Sequence, residues 1–174
     1  ETLSSDNVTA ITQGREGYMW LGTIGGGLNR FDPATGIAQH YQHNANNPTS
    51  LNSDNITAIF ADKQGYLWLG TDGNGLNRVN PNTEIFQHYR HDINDINSIS
   101  SDDIYTMIED SQGNIWIGTM GYGLNKFNPE TGTFQRYSLD ANTSLKNHDA
   151  VNHITAITED RQGNIWVGSW HGLY

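Results

Sequence analysis

A stretch of nine residues returns along this chain at a nearly fixed interval, and that return restricts the fold more than any other feature. Leu3-Ser-Ser-Asp-Asn-Val-Thr-Ala-Ile11 recurs as Leu51-Asn-Ser-Asp-Asn-Ile-Thr-Ala-Ile59 and as Ile99-Ser-Ser-Asp-Asp-Ile-Tyr-Thr-Met107, with a weaker copy at Val151-Asn-His-Ile-Thr-Ala-Ile157. Trp20, Trp68, Trp116 and Trp166 follow these segments, spaced 48, 48 and 50 residues apart. Each tryptophan opens a frame of the type Trp-Leu-Gly-Thr, varied to Trp116-Ile-Gly-Thr119 and Trp166-Val-Gly-Ser169. Gly27-Leu-Asn-Arg30, Gly75-Leu-Asn-Arg78, Gly123-Leu-Asn-Lys126 and Gly172-Leu-Tyr174 come next, and the rows close on Gln39-His-Tyr41, Gln87-His-Tyr89 and Gln135-Arg-Tyr137.

Each row reads as short strands of β-branched and aromatic residues bounded by Gly, Pro, Asn and Asp; in the first row these are Val8 to Thr12, Tyr18 to Thr23, Leu28 to Phe31 and Ile37 to Tyr41. Arg15-Glu16-Gly17, Gln64-Gly65 and Gln112-Gly113-Asn114 form hairpin turns, with Gly17, Gly65, Gly113 and Gly163 supplying positive φ. Asp32-Pro-Ala-Thr-Gly36 and Asn128-Pro-Glu-Thr-Gly132 turn the chain between the third and fourth strands. Helical periodicity is absent, and the rungs of a β-helix are shorter than this repeat. The expected fold is all-β: a β-propeller of four-stranded antiparallel blades, each carrying a tryptophan. Inner strands such as Tyr18-Met-Trp-Leu-Gly22 are apolar with little alternation, as strands covered on both faces are. The glycine after Trp-Leu leaves room for a bulky side chain of the neighbouring blade.

The blades fall at about 3–41, 51–89 and 99–137, with an incomplete one at 151–174, so about three and a half are present. Propellers have roughly four to eight blades. The expectation is therefore a piece of a longer propeller, or a partial ring completed by other copies through exposed blade edges. The interval from Leu139 to Ala150 is two residues longer than its counterparts and is expected to be atypical.

Composition narrows the function classes. The absence of cysteine excludes disulfides, thiolate metal sites and cysteine nucleophiles. With 9 Lys and Arg against 19 Asp and Glu, the net charge of −10 argues against a nucleic-acid partner. No apolar run approaches the ~20 residues of a membrane helix, so membrane attachment is expected only through segments outside this sequence. The chain opens on Glu1-Thr2-Leu3 without Met and without a basic-then-apolar leader.

The combination of Leu3-Ser-Ser-Asp-Asn-Val-Thr-Ala-Ile11, Gly17-Tyr-Met-Trp-Leu-Gly-Thr23, Gly27-Leu-Asn-Arg-Phe-Asp-Pro-Ala-Thr-Gly36 and His40-Tyr41 resembles the two-component regulator propeller repeat, from Leu3 to Tyr174. That resemblance implies the extracytoplasmic sensor portion of a bacterial membrane-bound signalling protein. Such propellers are commonly tandem, often seven-bladed, and followed by a small β-sandwich, a membrane helix and a histidine kinase or diguanylate cyclase output. It implies a periplasmic location and ligands that include carbohydrates, and it brings no catalytic residues.

Candidate sites follow from departures within constant frames. The loop between the second and third strands reads Ile24-Gly-Gly26, Asp72-Gly-Asn74, Met120-Gly-Tyr122 and Trp170-His171. Variable side chains on a constant frame are where a binding surface resides. Asp72, Asn74, Tyr122, Trp170 and His171 are the ligand-contact candidates: Tyr122 and Trp170 to stack on sugar rings, Asp72 and Asn74 to accept hydroxyls. Turn drift, or contact of Trp170 with an adjacent blade, is the structural alternative.

The pairs His40/His43 and His88/His91 have metal-like spacing, but i, i+3 on a strand points the two imidazoles to opposite faces, so structural roles are expected. Asp6, Asp54 and Asp102 precede the first strand of each row and are expected in Asx-turns, with a cation-binding ring as the alternative. Glu109, Asp110, Glu159 and Asp160 could serve as acid–base pairs, but Asp62, Asp110 and Asp160 recur beside turn glycines and read as turn-stabilising. Gly25-Gly26-Gly27 has no following helix to make a phosphate loop. No cofactor and no metal are expected. Three functions compete: a sensor of a small, saccharide-like ligand; a protein-interaction or self-assembly module; and a propeller lyase, for which only His153 and His171 are irregular histidines.

Overall fold

The computed structural model describes residues 2–14, 17–139 and 152–174. Among them every regular element is a strand. The first sheet holds β1 (Val8–Gln13), β2 (Met19–Thr23), β3 (Gly27–Asp32) and β4 (Ile37–Tyr41). The second holds β5 (Ile56–Ala61), β6 (Leu67–Thr71), β7 (Leu76–Asn80) and β8 (Ile85–Tyr89). The third holds β9 (Ile104–Glu109), β10 (Ile115–Thr119), β11 (Leu124–Asn128) and β12 (Thr133–Tyr137). The fourth has three strands, β13 (Ile154–Glu159), β14 (Ile165–Ser169) and β15 (Gly172–Leu173). Strands adjacent in sequence pair antiparallel in each sheet, the meander of a propeller blade. No helix among the described residues is long and apolar enough to cross a membrane.

The turns follow the sequence. Gly17, Gly65, Gly113 and Gly163 have φ of 83°, 93°, 85° and 85°, as hairpin positions closed to side chains require. Gly36 and Gly132 both have φ of 71°. The expected turn at Arg15-Glu16 and the atypical interval after Leu139 lie outside the described residues, apart from Gly17 and Leu139 themselves. Every first hairpin has a register shift near the start of its inner strand, between Val8 and Ala10, Ile56 and Ala58, Ile154 and Ala156, and at Gly118/Thr119. The extra residue is Thr9, Thr57, Tyr105 or Thr155. Thr9 Oγ1 donates to Gly22 O at 3.1 Å and Ile56 O at 2.5 Å, joining the first sheet to the second.

The chain forms two compact units, Glu1–His88 and Tyr89–Tyr174. In the first, Trp20 and Leu28 pack with Leu51, Ile56, Leu67, Leu69, Val79 and Phe86, so the core lies between facing sheets. All five residues of β6 are buried, as a strand covered on both faces demands. In the second unit Leu124, Ile154, Ile157 and Val167 make the corresponding cluster. The glycine of the Trp-Leu-Gly frame is the contact point. A Cβ on Gly22 would stand 2.5 Å from Ile56 Cγ2, and one on Gly118 would stand 2.6 Å from Ile154 Cγ2. The room left by that glycine is filled by the β-branched residue that starts the next sheet.

Polar clamps tie each row to its own beginning. Asn29, Asn77 and Asn125 are fully buried. Each accepts the amide N–H of a residue 25 positions earlier, Ser4, Asn52 or Ser100, at 2.9, 3.1 and 2.9 Å. Each also donates its Nδ2 back to that residue's side chain, at 2.8, 2.7 and 2.8 Å. A buried amide bonded through both its oxygen and its nitrogen in this way specifies register.

Candidate functional site

At one end of each sheet the second and third strands are joined by a rigid turn. The threonine that ends the second strand, Thr23, Thr71 or Thr119, donates its hydroxyl to the carbonyl of Gly27, Gly75 or Gly123 at 2.9, 2.7 and 2.9 Å. A Cβ on Gly27 or Gly123 would collide with the Tyr41 or Tyr137 carbonyl, which restricts those positions to glycine. Gly25, Gly73 and Gly121 at the centre of each tip share positive φ, while the residues beside them differ from row to row.

In the first unit the tip holds Asp72 and Asn74. The Asp72 amide donates to Asn55 O at 3.3 Å and its side chain is exposed. Asn74 O accepts from Asn52 Nδ2 at 2.6 Å, while Asn74 Nδ2 donates to Asp72 O at 3.3 Å.

The second unit presents an aromatic platform. Trp170 lies flat on the His153 imidazole, with ring centroids 4.2 Å apart and 8° between planes. A backbone hydrogen bond, Trp170 N–H to His153 O at 3.3 Å, holds the two together. Trp170 and Tyr122 are each 63% exposed and Tyr105 is 47% exposed. Tyr105, Met120, Ile154 and Thr155 complete a shallow crevice with the stacked pair. Gly121, one residue before Tyr122, abuts His153; a Cβ there would lie 3.6 Å from Cε1. His171 is exposed at the same turn, its amide on Ser169 Oγ at 3.1 Å. The structure thus gathers Tyr122, Trp170 and His171 at one end of the second unit. Asp72 and Asn74 belong to the first. The sequence reading omitted Tyr105, although a tyrosine in a column otherwise of threonines (Thr9, Thr57, Thr155) was a legible signal.

The four histidines with metal-like spacing are staples. His40 Nε2–H donates to Thr2 O and His88 Nε2–H to Ser50 O, both at 2.8 Å. His43 Nδ1–H donates to Leu51 O and His91 Nδ1–H to Ile99 O, both at 2.9 Å. Carbonyls only accept, so each of these nitrogens carries the proton. Arg136 replaces the outer-strand histidine in the third row and donates Nε–H to Ser98 O at 2.8 Å. Among the described residues no group of three or more His, Asp and Glu is placed to hold a metal ion.

Asp54 and Asp102 work at longer range than an Asx-turn. Their Oδ1 atoms accept the His43 and His91 amides, 11 residues back, at 2.7 Å. The local turn is made by serine hydroxyls instead, Ser53 and Ser101 accepting the Asn55 and Asp103 amides at 3.2 and 3.1 Å.

At the opposite end of the sheets, the carboxylates are committed to turns. Asp110 Oδ1 accepts the Gln112 and Asn114 amides at 3.0 and 2.8 Å, and Oδ2 accepts Asn114 Nδ2 and Trp116 Nε1 at 2.7 and 2.8 Å. Asp160 repeats all four bonds with Gln162, Asn164 and Trp166. Asp62 accepts from Gln64 N, Tyr66 N and Trp68 Nε1. Burial raises the Asp110 pKa, but the bonds from Trp116, Asn114 and Gln112 outweigh it and hold the group below its ordinary value. Bonds from Asn164, Trp166 and Gln162 hold Asp160 well below the carboxylate range. Glu159 accepts both the amide and the hydroxyl of Ser111 at 2.6 Å, linking the third and fourth sheets. Asp110 and Asp160 are thereby held ionised and bonded, the opposite of what a general acid needs.

The two-component regulator propeller model matches residues 2–25, 50–73, 98–121 and 150–171, together more than half of the sequence, and the chain belongs to that family. Among solved structures, an extracellular domain assigned to a hybrid two-component system of B. thetaiotaomicron superposes with a TM-score of 0.78, at 23% identity over 99% of this chain and 28% of that one. An extracellular domain assigned to a one-component system of the same organism gives a TM-score of 0.77, at 26% identity over 98% of this chain and 23% of that one. Virginiamycin B lyase from Staphylococcus aureus gives 0.70, at 17% identity over 96% of this chain and 51% of that one. The chain therefore spans less than a third of the two B. thetaiotaomicron domains and about half of the lyase. No curated protein sequence matches it.

Proposed function

We propose that the chain is a ligand-sensing propeller segment from the extracytoplasmic, periplasmic part of a bacterial membrane-bound signalling protein. Family membership and the likeness to extracellular domains of signalling systems support that reading. The observation that carries ligand binding is the Trp170–His153 stack, with exposed Tyr122 and Tyr105 at the same end of its unit. Flat apolar rings set in a polar rim suit the CH face of a sugar, and a saccharide is the proposed ligand. Binding there biases the arrangement of blades and so reports to a membrane-linked output. The turn-bound carboxylates support a sensor over an enzyme, and the lyase likeness, at 17% identity, carries the fold alone.

The test is calorimetric titration of the chain with soluble oligomers of glucose, xylose and arabinose. One class is expected to bind saturably. Trp170→Ala is expected to weaken that binding by about tenfold or more, the effect of removing a stacked aromatic anchor. Its melting temperature should not change, because the ring is largely exposed. Unaltered affinity in Trp170→Ala overturns this placement of the site.

A second reading is self-assembly through sheet faces. It is favoured by one observation: Val8 and Ile11 in the first sheet, and Trp166 and Leu173 in the fourth, are exposed apolar residues in otherwise core-forming frames.

A further inference from the structure

The first repeat breaks a rule that the other three keep. Where Asp62, Asp110 and Asp160 supply a carboxylate to the tryptophan indole, the first row has Gly14. The backbone turn survives the change, since Gly14 N–H still donates to Tyr18 O at 2.8 Å, as Asp62 N–H does to Tyr66 O at 2.9 Å. The acceptor is lost. Trp20 is 4% exposed, and among the described residues its Nε1–H has no partner. A Cβ on Gly14 would stand 2.6 Å from Trp20 Nε1, so the indole leans into the room that an aspartate fills in the other repeats. The Tyr18 amide is the counterpart of the Tyr66, Asn114 and Asn164 amides that donate to those carboxylates, and it too has no partner among the described residues.

A cavity of about 360 Å³ opens at this place, between the first and second sheets of the first unit. Gly14, Tyr18, Trp20 and Arg30 line one side; Leu67 and Pro81 lie on the other. The Arg30 guanidinium sits 4.9 Å from the Tyr18 ring centre and 5.9 Å from that of Trp20. Its Nη2 donates to Gln39 Oε1 at 2.7 Å, which leaves further donors on the same fork. Asp62 also borders the cavity, but its oxygens already accept from two amides and the Trp68 indole. Gln13, Gln64, Asn80 and Asn82 add side-chain amides to the lining, which donate as well as accept, and the Arg30 charge stands over the aromatic wall.

We infer that this cavity binds a small carboxylate. Its oxygens take the place of the aspartate oxygens of the other repeats: one accepts the Tyr18 amide, the other the Trp20 indole N–H, and Arg30 supplies the charge. Charge-assisted bonds of this kind are stronger than those to water, so a carboxylate displaces solvent from the buried indole. The cavity is within the range of small-molecule sites and exceeds what acetate fills. Tyr18, Leu67 and Pro81 offer an apolar wall to the body of a larger acid, and a sugar acid fits that description. This site is independent of the aromatic platform of the second unit.

The experiment follows the indole N–H signals of the five tryptophans in the ¹⁵N-labelled chain. Sodium acetate and sodium glucuronate are titrated against sodium chloride at equal ionic strength and against glucose. The Trp20 signal is expected to move saturably with both carboxylates and to stay still with chloride and glucose. Gly14→Asp supplies the carboxylate from the chain itself and is expected to abolish the response. Should that variant fail to fold, Arg30→Gln tests the same claim, with carboxylate affinity expected to fall by roughly tenfold. A Trp20 signal that ignores both carboxylates, responds equally to glucose or chloride, or still responds in Gly14→Asp overturns the site. So does carboxylate affinity unchanged in Arg30→Gln.

Discussion

The aspartate of the first hairpin shows how one residue sets a blade. Asp110 gathers four hydrogen bonds, two from backbone amides and two from side chains, and so fixes both the turn and the tryptophan that follows. All four need the ionised form to accept at full strength. Its folded pKa lies below the ordinary value: burial pushes it up, and the bonds from Trp116, Asn114 and Gln112 pull it down further. Asp160 is displaced the same way by Asn164, Trp166 and Gln162. A depressed folded pKa contributes stability above the unfolded value of about 4, which is lost as pH falls through the folded value. Thermal melts from pH 6 down to 2.5 should show the chain weakening in that acid window. Asp110→Ala should lower stability at pH 6 by about 1–2 kcal/mol and flatten the acid slope; an unchanged slope would place the acid sensitivity elsewhere. This aspartate was legible because its partners are local. Asp54 and Asp102 were not, because they bond amides 11 residues back that only tertiary closure brings near. The same holds for Asn77, whose partner Asn52 lies 25 residues earlier.

At the scale of the element, strand order and hairpin glycines were written in the repeat, because period and turn chemistry act over a few residues; burial of the tryptophan strand is complete in β6, while β14 buries Val167 alone. The third-to-fourth strand turn of the second sheet is the exception. Gly36 and Gly132 take φ of 71°, while Glu84, at the same place in its row, takes φ of 56° as the only described non-glycine residue with positive φ. An L side chain there costs about 1–2 kcal/mol. The compensation comes from the neighbouring sheet: Tyr41 donates its hydroxyl to Glu84 Oε1 at 2.7 Å, and Gln39 Nε2 reaches the same atom at 3.3 Å. Burial first, and then that bond, push the Tyr41 phenol far above its ordinary pKa. Two substitutions separate the terms. Glu84→Ala loses the bond and keeps the strain, so a loss of about 1 kcal/mol is expected. Glu84→Gly loses the bond but relieves the strain, so its denaturant midpoint should stay near that of the parent. If Glu84→Gly were the more damaging of the two, the strain argument would be wrong and the turn would need its side chain for another reason.

For the whole molecule, the repeat announces stacked sheets, and it also says how they stack. Ile56 enters the room beside Gly22, and Ile154 the room beside Gly118. What the repeat leaves unsaid is which of these plugs and sockets stay empty, since that depends on neighbours and not on the row itself. Val8 is the counterpart of Ile56 in the first sheet and is 41% exposed. Gly168 is the counterpart of Gly118 in the fourth sheet, and a Cβ there would meet only atoms of its own hairpin, the nearest being Ala156 Cβ at an ordinary 3.4 Å. The first sheet thus carries an unused plug and the fourth an unused socket. A plug of one copy meeting a socket of another would be a heterologous contact, of the kind that extends or closes according to its rotation. Light scattering across a concentration series is expected to show mass rising above that of the monomer. Gly168→Leu, which fills the socket, and Val8→Asp, which charges the plug, should each return the monomer without lowering the melting temperature. Gly118→Ala touches an occupied socket instead, and should cost about 1–3 kcal/mol of stability by overpacking against Ile154. A Gly168→Leu chain that associates as strongly as the parent would show that copies meet elsewhere. The contrast between Gly118 and Gly168 makes the test specific, because the same frame glycine serves folding in one sheet and association in the next.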